Sequence, residues 1–194
     1  ISPQGYKSGR YRQGRLVLAQ LLYNTAYLTG SFTTRAGNQT AYYIDKYRFS
    51  TQPDVLAAVA DAIIAKLPDS AAYDRLAAPE LGAVPLAAAV SLRVNKPFII
   101  IKKTAKAYGT QNKIEGIYQA YNRIVMLEDV IATGGAVLEA CAVAKAADLE
   151  IMAIIGVVNR EEGGIAAIQA QYPVAYITTV REIREAGSLV ETGV

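Results

Sequence analysis

The amino-acid sequence predicts an α/β fold, an open parallel sheet of about five strands flanked by helices. Wholly apolar runs such as 98–101 and 124–127 are typical of strands that a parallel sheet buries on both faces. Segments with apolar residues at spacings of three and four stand between such runs and indicate helices. Strands that alternate with helices in this way build a parallel sheet with helices on its faces.

The stretch 124–136 combines a strand, two acids and a glycine turn. Its apolar run ends at Glu128 and Asp129, and the turn 133–135 (Thr-Gly-Gly) follows after three residues. A helix is predicted to begin there, because the apolar residues that follow recur at helical spacing. The apolar face of this helix consists of Val137, Ala140, Cys141 and Ala144.

This order of elements suits a phosphorylated sugar. Ligands of open α/β sheets bind beyond the carboxyl ends of the strands, and a glycine turn that opens a helix presents N–H groups to a phosphate. The stretch is not a nucleotide P-loop, since Ala136 follows Gly135 where that motif has Lys and then Ser or Thr. Sugar hydroxyls would donate to the two carboxylates. The alternative is a strand-turn-helix unit whose acids only cap the helix.

The composition is that of an ordinary globular protein and excludes several kinds of site. The length of 194 residues predicts a single domain. With 52% hydrophobic and 19% charged residues, the composition is that of a folded protein. A formal charge of +3 is too small to indicate nucleic-acid binding. The absence of histidine excludes Ser–His and Cys–His catalysis and His-based metal sites. Any metal is expected to be a hard cation such as Mg²⁺, held mostly by oxygens of a ligand.

A cytoplasmic location is expected. The lone Cys141 cannot form an internal disulfide, and its place on the apolar helix face predicts core packing. No apolar run approaches the ~18–20 residues of a membrane span. Residues 1–15 lack the apolar centre of a signal peptide.

The first half of the chain predicts a small hairpin ahead of the sheet. Residues 12–23 have helical periodicity, and Gly37-Asn38 is a strong turn signal within the β-prone segment 32–45. The hairpin carries side chains that hydrogen-bond or stack on a ring, although surface hairpins also carry such residues. The elements expected next are a helix starting at Pro53, a strand at 73–77, a turn at 78–85, a helix at 86–92 and a strand at 98–101.

The segment 102–116 is basic and lacks apolar periodicity. It contains Lys102, Lys103, Lys106 and Lys113. A loop of this length inside a compact α/β unit is usually a lid or a binding loop. Because it follows a sheet strand, its base is expected at the same edge as the acidic pair, where its lysines suit pyrophosphate. The alternative is a solvated basic loop.

The rest of the chain predicts further βα units. The expected elements are a strand at 117–121, a strand at 151–158, a polar segment at 159–164, a helix to about residue 171, a strand at 174–178 and a helix at 181–186.

The segment 128–135 resembles the motif with which type I phosphoribosyltransferases bind 5-phosphoribosyl 1-pyrophosphate (PRPP). Over roughly 32–183 the chain is similar to the members of this family that act on orotate. The resemblance implies a single domain over 1–194, with a hood at about 1–50, a core at about 51–194 and a long mobile loop. The matching segments are the hood hairpin 32–45, the pyrophosphate loop 79–88, the mobile catalytic loop 102–116 and the element 159–164.

The resemblance also implies roles for individual residues. Glu128 and Asp129 would hold the ribose hydroxyls, with Mg²⁺ bound mainly through PRPP near these acids. Lys102, Lys103 and Lys106 would neutralise the departing pyrophosphate, and Asp129 and these lysines are the expected catalytic residues. In a homodimer the loop would reach over the partner's site. PRPP would also contact Val130, Ile131, Ala132, Thr133, Gly134, Gly135, Ala136 and Tyr108. Orotate would contact Arg35, Tyr42, Tyr43, Thr133 and Arg160.

The sequence departs from the family pattern at several positions. Ala36 and Thr40 stand where the hood commonly has serines. Leu81 and Gly82 stand where many members have a Tyr-Lys pair. The contact of that lysine with pyrophosphate is therefore absent here, or backbone N–H groups take its place. Tyr108 replaces the usual histidine of the mobile loop.

The implied activity is transfer of 5-phosphoribose from PRPP to orotate in pyrimidine biosynthesis, without a nucleic-acid or membrane partner. Two alternatives remain open. One is a phosphoribosyltransferase for a purine or for uracil. The other is a PRPP-sensing regulator without enzyme activity, which would carry a DNA-binding helix pair or a basic face. The lysines of the loop argue against the regulator.

Overall fold

The computed structural model describes residues 4–33, 37, 39–103 and 112–191. The strands within these ranges are β1 (Tyr27–Thr33), β2 (Gln39–Ile44), β3 (Arg75–Pro79), β4 (Phe98–Ile101), β5 (Ile114–Glu115), β6 (Arg123–Ile131), β7 (Glu150–Asn159) and β8 (Val174–Thr179). The helices there are α1 (Gln4–Ala26), α2 (Lys46–Thr51), α3 (Pro53–Ile64), α4 (Val84–Val94), α5 (Gly135–Ala146), α6 (Gly164–Gln169) and α7 (Val180–Glu191).

The main sheet has the strand order β5-β4-β3-β6-β7-β8. Strands β4, β3, β6, β7 and β8 are parallel, and the two-residue β5 pairs antiparallel with β4 and forms one edge of the sheet. The predicted parallel sheet of about five strands is therefore confirmed, with one short strand added at its edge.

The central strand β6 is buried on both faces, as its wholly apolar run predicts. Val125 and Leu127 pack with α1, α3, α4 and α7 on one face of the sheet. Ile124 and Met126 pack with α5 and α6 on the other face. All four side chains are fully buried, and each contributes about 1.5–3 kcal/mol relative to an exposed side chain. Because β6 is packed on both faces, the residues at its carboxyl end are held in fixed positions at the end of the sheet.

The adjacent strands β3 and β6 mark a topological switch point, where the direction of the chain connections reverses. From β3 the chain passes through α4 to β4 on one side, and from β6 it passes through α5 to β7 on the other side. Helices α4 and α5 therefore lie on opposite faces of the sheet. Their divergence leaves a crevice beyond the carboxyl ends of β3 and β6, which is where open α/β sheets bind ligands.

The hairpin β1–β2 continues directly from α1. Tyr27 pairs with Ile44 at its base, and the backbone N–H of Asp45 donates to the Ala26 carbonyl at 2.9 Å. The Asp45 carboxylate then caps α2 by accepting from the Tyr47 N–H at 3.1 Å. This cap joins the hairpin directly to α2. Helix α2 was not among the predicted elements.

Several predicted boundaries change in the structure. The expected strand at 117–121 is wrong, since the described strand of this region is β5 at Ile114–Glu115. Strand β6 runs through the two acids instead of ending before them, and α7 is longer than the predicted helix at 181–186. The hood hairpin begins at Tyr27, five residues earlier than predicted. Within the described ranges, no helix combines the length and the apolar character needed to cross a membrane.

Candidate functional site

A cleft of about 1060 Å³ lies beyond the carboxyl ends of β3, β4, β6 and β7. Its wall combines acidic residues from β6 with basic residues from α2 and from the segments after β4 and β7. The residues that carry this charge include Lys46, Lys102, Lys103, Glu128, Asp129 and Arg160. The expectation that the acidic pair and the base of the lysine segment share one sheet edge is confirmed.

Glu128 is almost completely buried at the floor of the cleft. Its Oε1 accepts from the Asp129 N–H at 3.2 Å, and its Oε2 has no hydrogen-bond partner within the described part of the chain. Burial and the neighbouring charge of Asp129 raise the pKa of Glu128 to about 8. Glu128 is therefore mostly protonated at neutral pH.

Asp129 is 2% exposed and is held from two sides. Its Oδ1 accepts from the Val130 N–H at 2.7 Å, and its Oδ2 lies 2.9 Å from Lys46 Nζ. Burial lowers the pKa of Lys46, but its contacts with Asp129 outweigh this and raise the pKa overall. Asp129 is thus an oriented carboxylate, while Glu128 beside it is a carboxylic acid.

The glycine turn lies between β6 and α5, as predicted. Gly134 has φ +84°, and a Cβ there would lie 3.0 Å from the Gly164 carbonyl oxygen, so the turn requires glycine. The Gly164 N–H donates to the Ala132 carbonyl at 3.0 Å and ties the turn to the start of α6. Helix α5 begins at Gly135, and its first N–H groups have no partners within the helix. The turn has the form of an anion site.

The residues 130–136 do not all face the cleft. Val130, Ala132 and Ala136 line it. Ile131 is 1% exposed, its side chain packs in the core, and its carbonyl accepts from the Arg160 N–H at 2.8 Å. The predicted contact of Ile131 with a ligand therefore cannot come from its side chain.

Lys102 and Lys103, which directly follow β4, have different surroundings. Lys102 is 8% exposed, and its Nζ lies 2.6 Å from Glu115 Oε1, so this lysine pairs with the strand that returns from the loop. Lys103 is exposed, and its backbone N–H donates to Glu80 Oε1 at 2.7 Å. The side chain of Lys103 is the more accessible of the two.

A stack of aromatic rings connects the hood to Arg160. Tyr23 of α1 stacks on Tyr27 at 5.1 Å between ring centroids, and Tyr27 stacks on Tyr42 at 5.6 Å. The Arg160 guanidinium carbon lies 5.9 Å from the centre of the Tyr42 ring, and Arg160 also pairs with Glu162 at 2.8 Å. Tyr42 and Arg160, both of which are expected to contact orotate, therefore lie next to each other.

Other predicted residues are accounted for as follows. Tyr43 lines the cleft with 44% of its surface exposed. Thr133 lies in the turn before α5. Arg35, Lys106 and Tyr108 lie outside the described residues.

Sequence reasoning missed several residues that shape the site. Lys46 follows the hairpin without any motif to mark it, and Glu80 and Glu115 carry no signal beyond their charge. Tyr23 and Tyr27 are also unmarked, because ring stacking between α1 and the hairpin depends on how these elements pack.

The site suits a magnesium ion that is bound together with a ligand. Within the described ranges, no group of three or more acidic, cysteine or histidine side chains could hold a metal. Glu128 and Asp129 supply oxygen donors, and Glu128 Oε2 is buried without a partner among the described residues. The Asp129 carboxylate, together with Glu128 when it ionises, fits a hard cation whose other ligands come from the substrate and water.

The chain is similar to known orotate phosphoribosyltransferases. No protein-family model matches the sequence. The orotate phosphoribosyltransferase of Thermococcus gammatolerans is 40% identical over 172 residues, which cover 87% of this chain and 90% of that protein. The enzyme of Pyrococcus furiosus is 38% identical over 165 residues, or 82% and 89% of the two chains. The crystal structure of the Mycobacterium tuberculosis enzyme with Fe(III) dicitrate has a TM-score of 0.74 and 26% identity, and the match covers 88% of this chain and 98% of that chain.

Proposed function

The chain belongs to the orotate phosphoribosyltransferase family, and we propose on this basis that it transfers 5-phosphoribose from PRPP to orotate. The products are orotidine 5′-phosphate and pyrophosphate, in pyrimidine nucleotide synthesis. The observation that carries the proposal is a single cleft that holds Glu128, Asp129 and the edge of the glycine turn, with Arg160 beside the hood. The two acids and the turn suit a phosphoribosyl group, and the hood with Arg160 suits a flat anionic base.

The ribose 5-phosphate part of PRPP lies between β6 and α5 in this proposal. N–H groups of 132–136 and the Thr133 hydroxyl bind the 5′-phosphate at the positive end of α5. Asp129 accepts from a ribose hydroxyl. Glu128, which is mostly protonated before the ligand binds, uses its unpartnered Oε2 for the neighbouring hydroxyl or for the metal.

Orotate lies under the hood. Tyr42 and Tyr43 offer ring surface, and the Arg160 guanidinium beside Tyr42 offers paired donors to an anionic ring. Arg35 is proposed to approach the orotate carboxylate from the hairpin, although it lies outside the described residues.

The reaction replaces one bond at C1 of the ribose. The N1 atom of ionised orotate forms a bond to C1, while the bond from C1 to the pyrophosphate oxygen breaks and its electron pair leaves with pyrophosphate. C1 gains oxocarbenium character in the transition state, as in glycoside hydrolysis. The N1 proton of orotate leaves as the bond to C1 forms and is taken up by an oxygen of the departing pyrophosphate, so no strong general base is needed, in agreement with a chain that lacks histidine.

Cations near the cleft mouth stabilise the departing pyrophosphate. Lys103 is an accessible lysine that lines the cleft after β4, and Lys106 and Tyr108 are proposed to act with it from the loop. Lys102 joins them only if it exchanges its contact with Glu115 for the ligand. Mg²⁺ bound through PRPP near Glu128 and Asp129 would neutralise further charge on the pyrophosphate.

The protein is proposed to act as a homodimer in the cytoplasm, with the loop after β4 reaching the partner's site. A single buried Cys141, which cannot form an internal disulfide, fits a reducing compartment.

A base-specificity assay tests the proposal. Purified protein with PRPP and Mg²⁺ is offered orotate, uracil, adenine or hypoxanthine, and pyrophosphate release and nucleotide product are measured. We expect turnover of orotate, with the other bases at least about 100-fold less efficient, since sites built to bind a polar group reject analogues that lack it. Turnover of a purine or uracil instead of orotate would contradict the choice of base. PRPP binding without turnover of any base would favour the regulator.

A further inference from the structure

We propose that Lys46 binds the pyrophosphoryl group of PRPP and is a substrate-binding residue of this site. The inference rests on the proposed function, since it assumes that PRPP is the ligand. It goes beyond that function because Lys46 lies in α2, outside the PRPP motif and outside the lysine loop.

The position of Lys46 is defined by its contacts. It is the first residue of α2, immediately after Asp45, whose carboxylate caps that helix. Its side chain is 30% exposed and lines the cleft, and its Nζ lies 2.9 Å from Asp129 Oδ2. The ammonium group is thus at the carboxylate that is expected to bind a ribose hydroxyl, and one side of it faces the ligand space.

Gly82 makes the room for this contact. A Cβ at Gly82 would lie 1.8 Å from Asp129 Oδ2 and 3.1 Å from Lys46 Cδ. Any side chain at this position would therefore displace the carboxylate or the lysine. The missing side chain at Gly82 therefore leaves the space in which Lys46 reaches Asp129 from α2.

The chemistry of the ligand calls for a cation here. Pyrophosphate is attached to C1, next to the ribose hydroxyls, so its charge comes close to the two carboxyl groups of β6. The ammonium group of Lys46 has three donors, and Asp129 uses one of them. Lys102, by comparison, is paired with Glu115 and is nearly buried. Lys46 can therefore hold Asp129 and donate to a pyrophosphate oxygen at the same time.

The test compares Lys46→Met with Lys145→Met. Methionine keeps the length of the side chain and removes its charge, and Lys145 is an exposed lysine near the end of α5 that does not line the cleft. Melting temperatures and circular dichroism establish that both variants fold. KM values for PRPP and orotate are measured, together with the affinities of the free protein for pyrophosphate and for ribose 5-phosphate by calorimetry with Mg²⁺.

We expect Lys46→Met to raise the KM for PRPP and weaken pyrophosphate binding at least about tenfold, the loss typical of a hydrogen bond to a charged group. Ribose 5-phosphate affinity and the KM for orotate should change less than about twofold, and Lys46→Arg should restore part of the pyrophosphate affinity. Lys145→Met should match the unaltered protein. Equal losses for ribose 5-phosphate and pyrophosphate would mean that Lys46 only positions Asp129, and unchanged pyrophosphate binding would overturn the inference.

The binding measurements separate this inference from the proposed function. If the unaltered protein binds pyrophosphate through Lys46 but does not turn over orotate, the base assignment fails and the role of Lys46 stands. If orotate is turned over and Lys46→Met leaves pyrophosphate binding unchanged, the role of Lys46 fails alone.

Discussion

At the scale of single residues, two neighbouring carboxyl groups differ because their partners differ. Asp129 has Lys46 and a backbone N–H, whereas Glu128 has a backbone N–H on one oxygen and no described partner on the other. Both side chains are nearly buried, so the partners decide which of them is charged. Sequence alone shows two adjacent acids and cannot distinguish them.

The raised pKa of Glu128 predicts a pH-dependent stability. Between its usual pKa of 4.5 and its raised pKa of about 8, the folded protein retains a proton that the unfolded chain has released. The free energy of unfolding therefore falls as the pH rises through this window. Glu128→Gln removes the titration and should flatten this part of the profile. At pH 8.5 we expect it to raise the melting temperature by at least about 2–4 °C, the effect of 1 kcal/mol in a domain of this size.

Melting temperatures of both proteins from pH 5 to pH 9, without ligand, check this prediction. The variant Glu139→Gln is the control, because Glu139 also lines the cleft but its side chain is more exposed. Parallel profiles for Glu128→Gln and the unaltered protein would contradict the prediction.

At the scale of elements, the hood is held by the packing of α1 against α7. A Cβ at Gly187 of α7 would lie 2.2 Å from the Tyr23 ring, which shows how closely the two helices meet. Tyr23 in turn stacks on Tyr27, and Tyr27 on Tyr42. The packing of α7 is therefore connected, through Tyr23 and Tyr27, to the Tyr42 ring beside Arg160.

Gly187→Val should weaken this connection. The added side chain overlaps the Tyr23 ring, and such overpacking typically costs about 1–3 kcal/mol. We expect a melting temperature about 2–10 °C lower and a higher KM for orotate, with a smaller change in the KM for PRPP. Gly14→Val is the matched control, because nothing lies within 4 Å of a Cβ at Gly14 of α1. A lower melting temperature with an unchanged KM for orotate would show that the packing of α7 does not affect orotate binding by the hood.

At the scale of the whole molecule, the predicted homodimer would place the loop after β4 over the partner's acidic pair. Strand β5, which carries Glu115 after the loop, pairs with β4 and forms the edge of the sheet. The described residues on both sides of the loop, Lys103 and Asn112, therefore lie at a sheet edge that a second subunit can approach.

Mixing two inactive variants tests this arrangement. Lys106→Ala should keep PRPP binding and lose most of the rate, and Asp129→Asn should lose the carboxylate of the acidic pair. If the loop acts on the partner's site, a mixed dimer has one site with both residues intact. An equal mixture that exchanges subunits should then recover about a quarter of the unaltered activity. Activity no higher than that of the two variants measured separately would place the loop over its own site.

The fold was predictable because its signals are local. The apolar run of β6, the glycine turn and the apolar face of α5 depend on residues close together in sequence, and all three form as expected. The prediction of a strand at 117–121 was wrong because it also rested on local signals alone. Its apolar and aromatic residues suggest a strand, but Ile117 and Tyr121 are 87% and 72% exposed and lie outside the sheet. Local preference decides little where packing does not support it.

The sequence by itself determined the alternation of parallel strands and helices in the main sheet apart from 117–121, the glycine turn at 133–135, the position of the two acids and the absence of histidine chemistry. These features follow from residue types at short spacing. Only the tertiary structure decided that Lys46 meets Asp129 across the space left by Gly82, that Lys102 pairs with Glu115, and that Tyr23 supports the hood. These contacts join segments that are distant in sequence, and their energies depend on burial and distance, which exist only once the chain has folded.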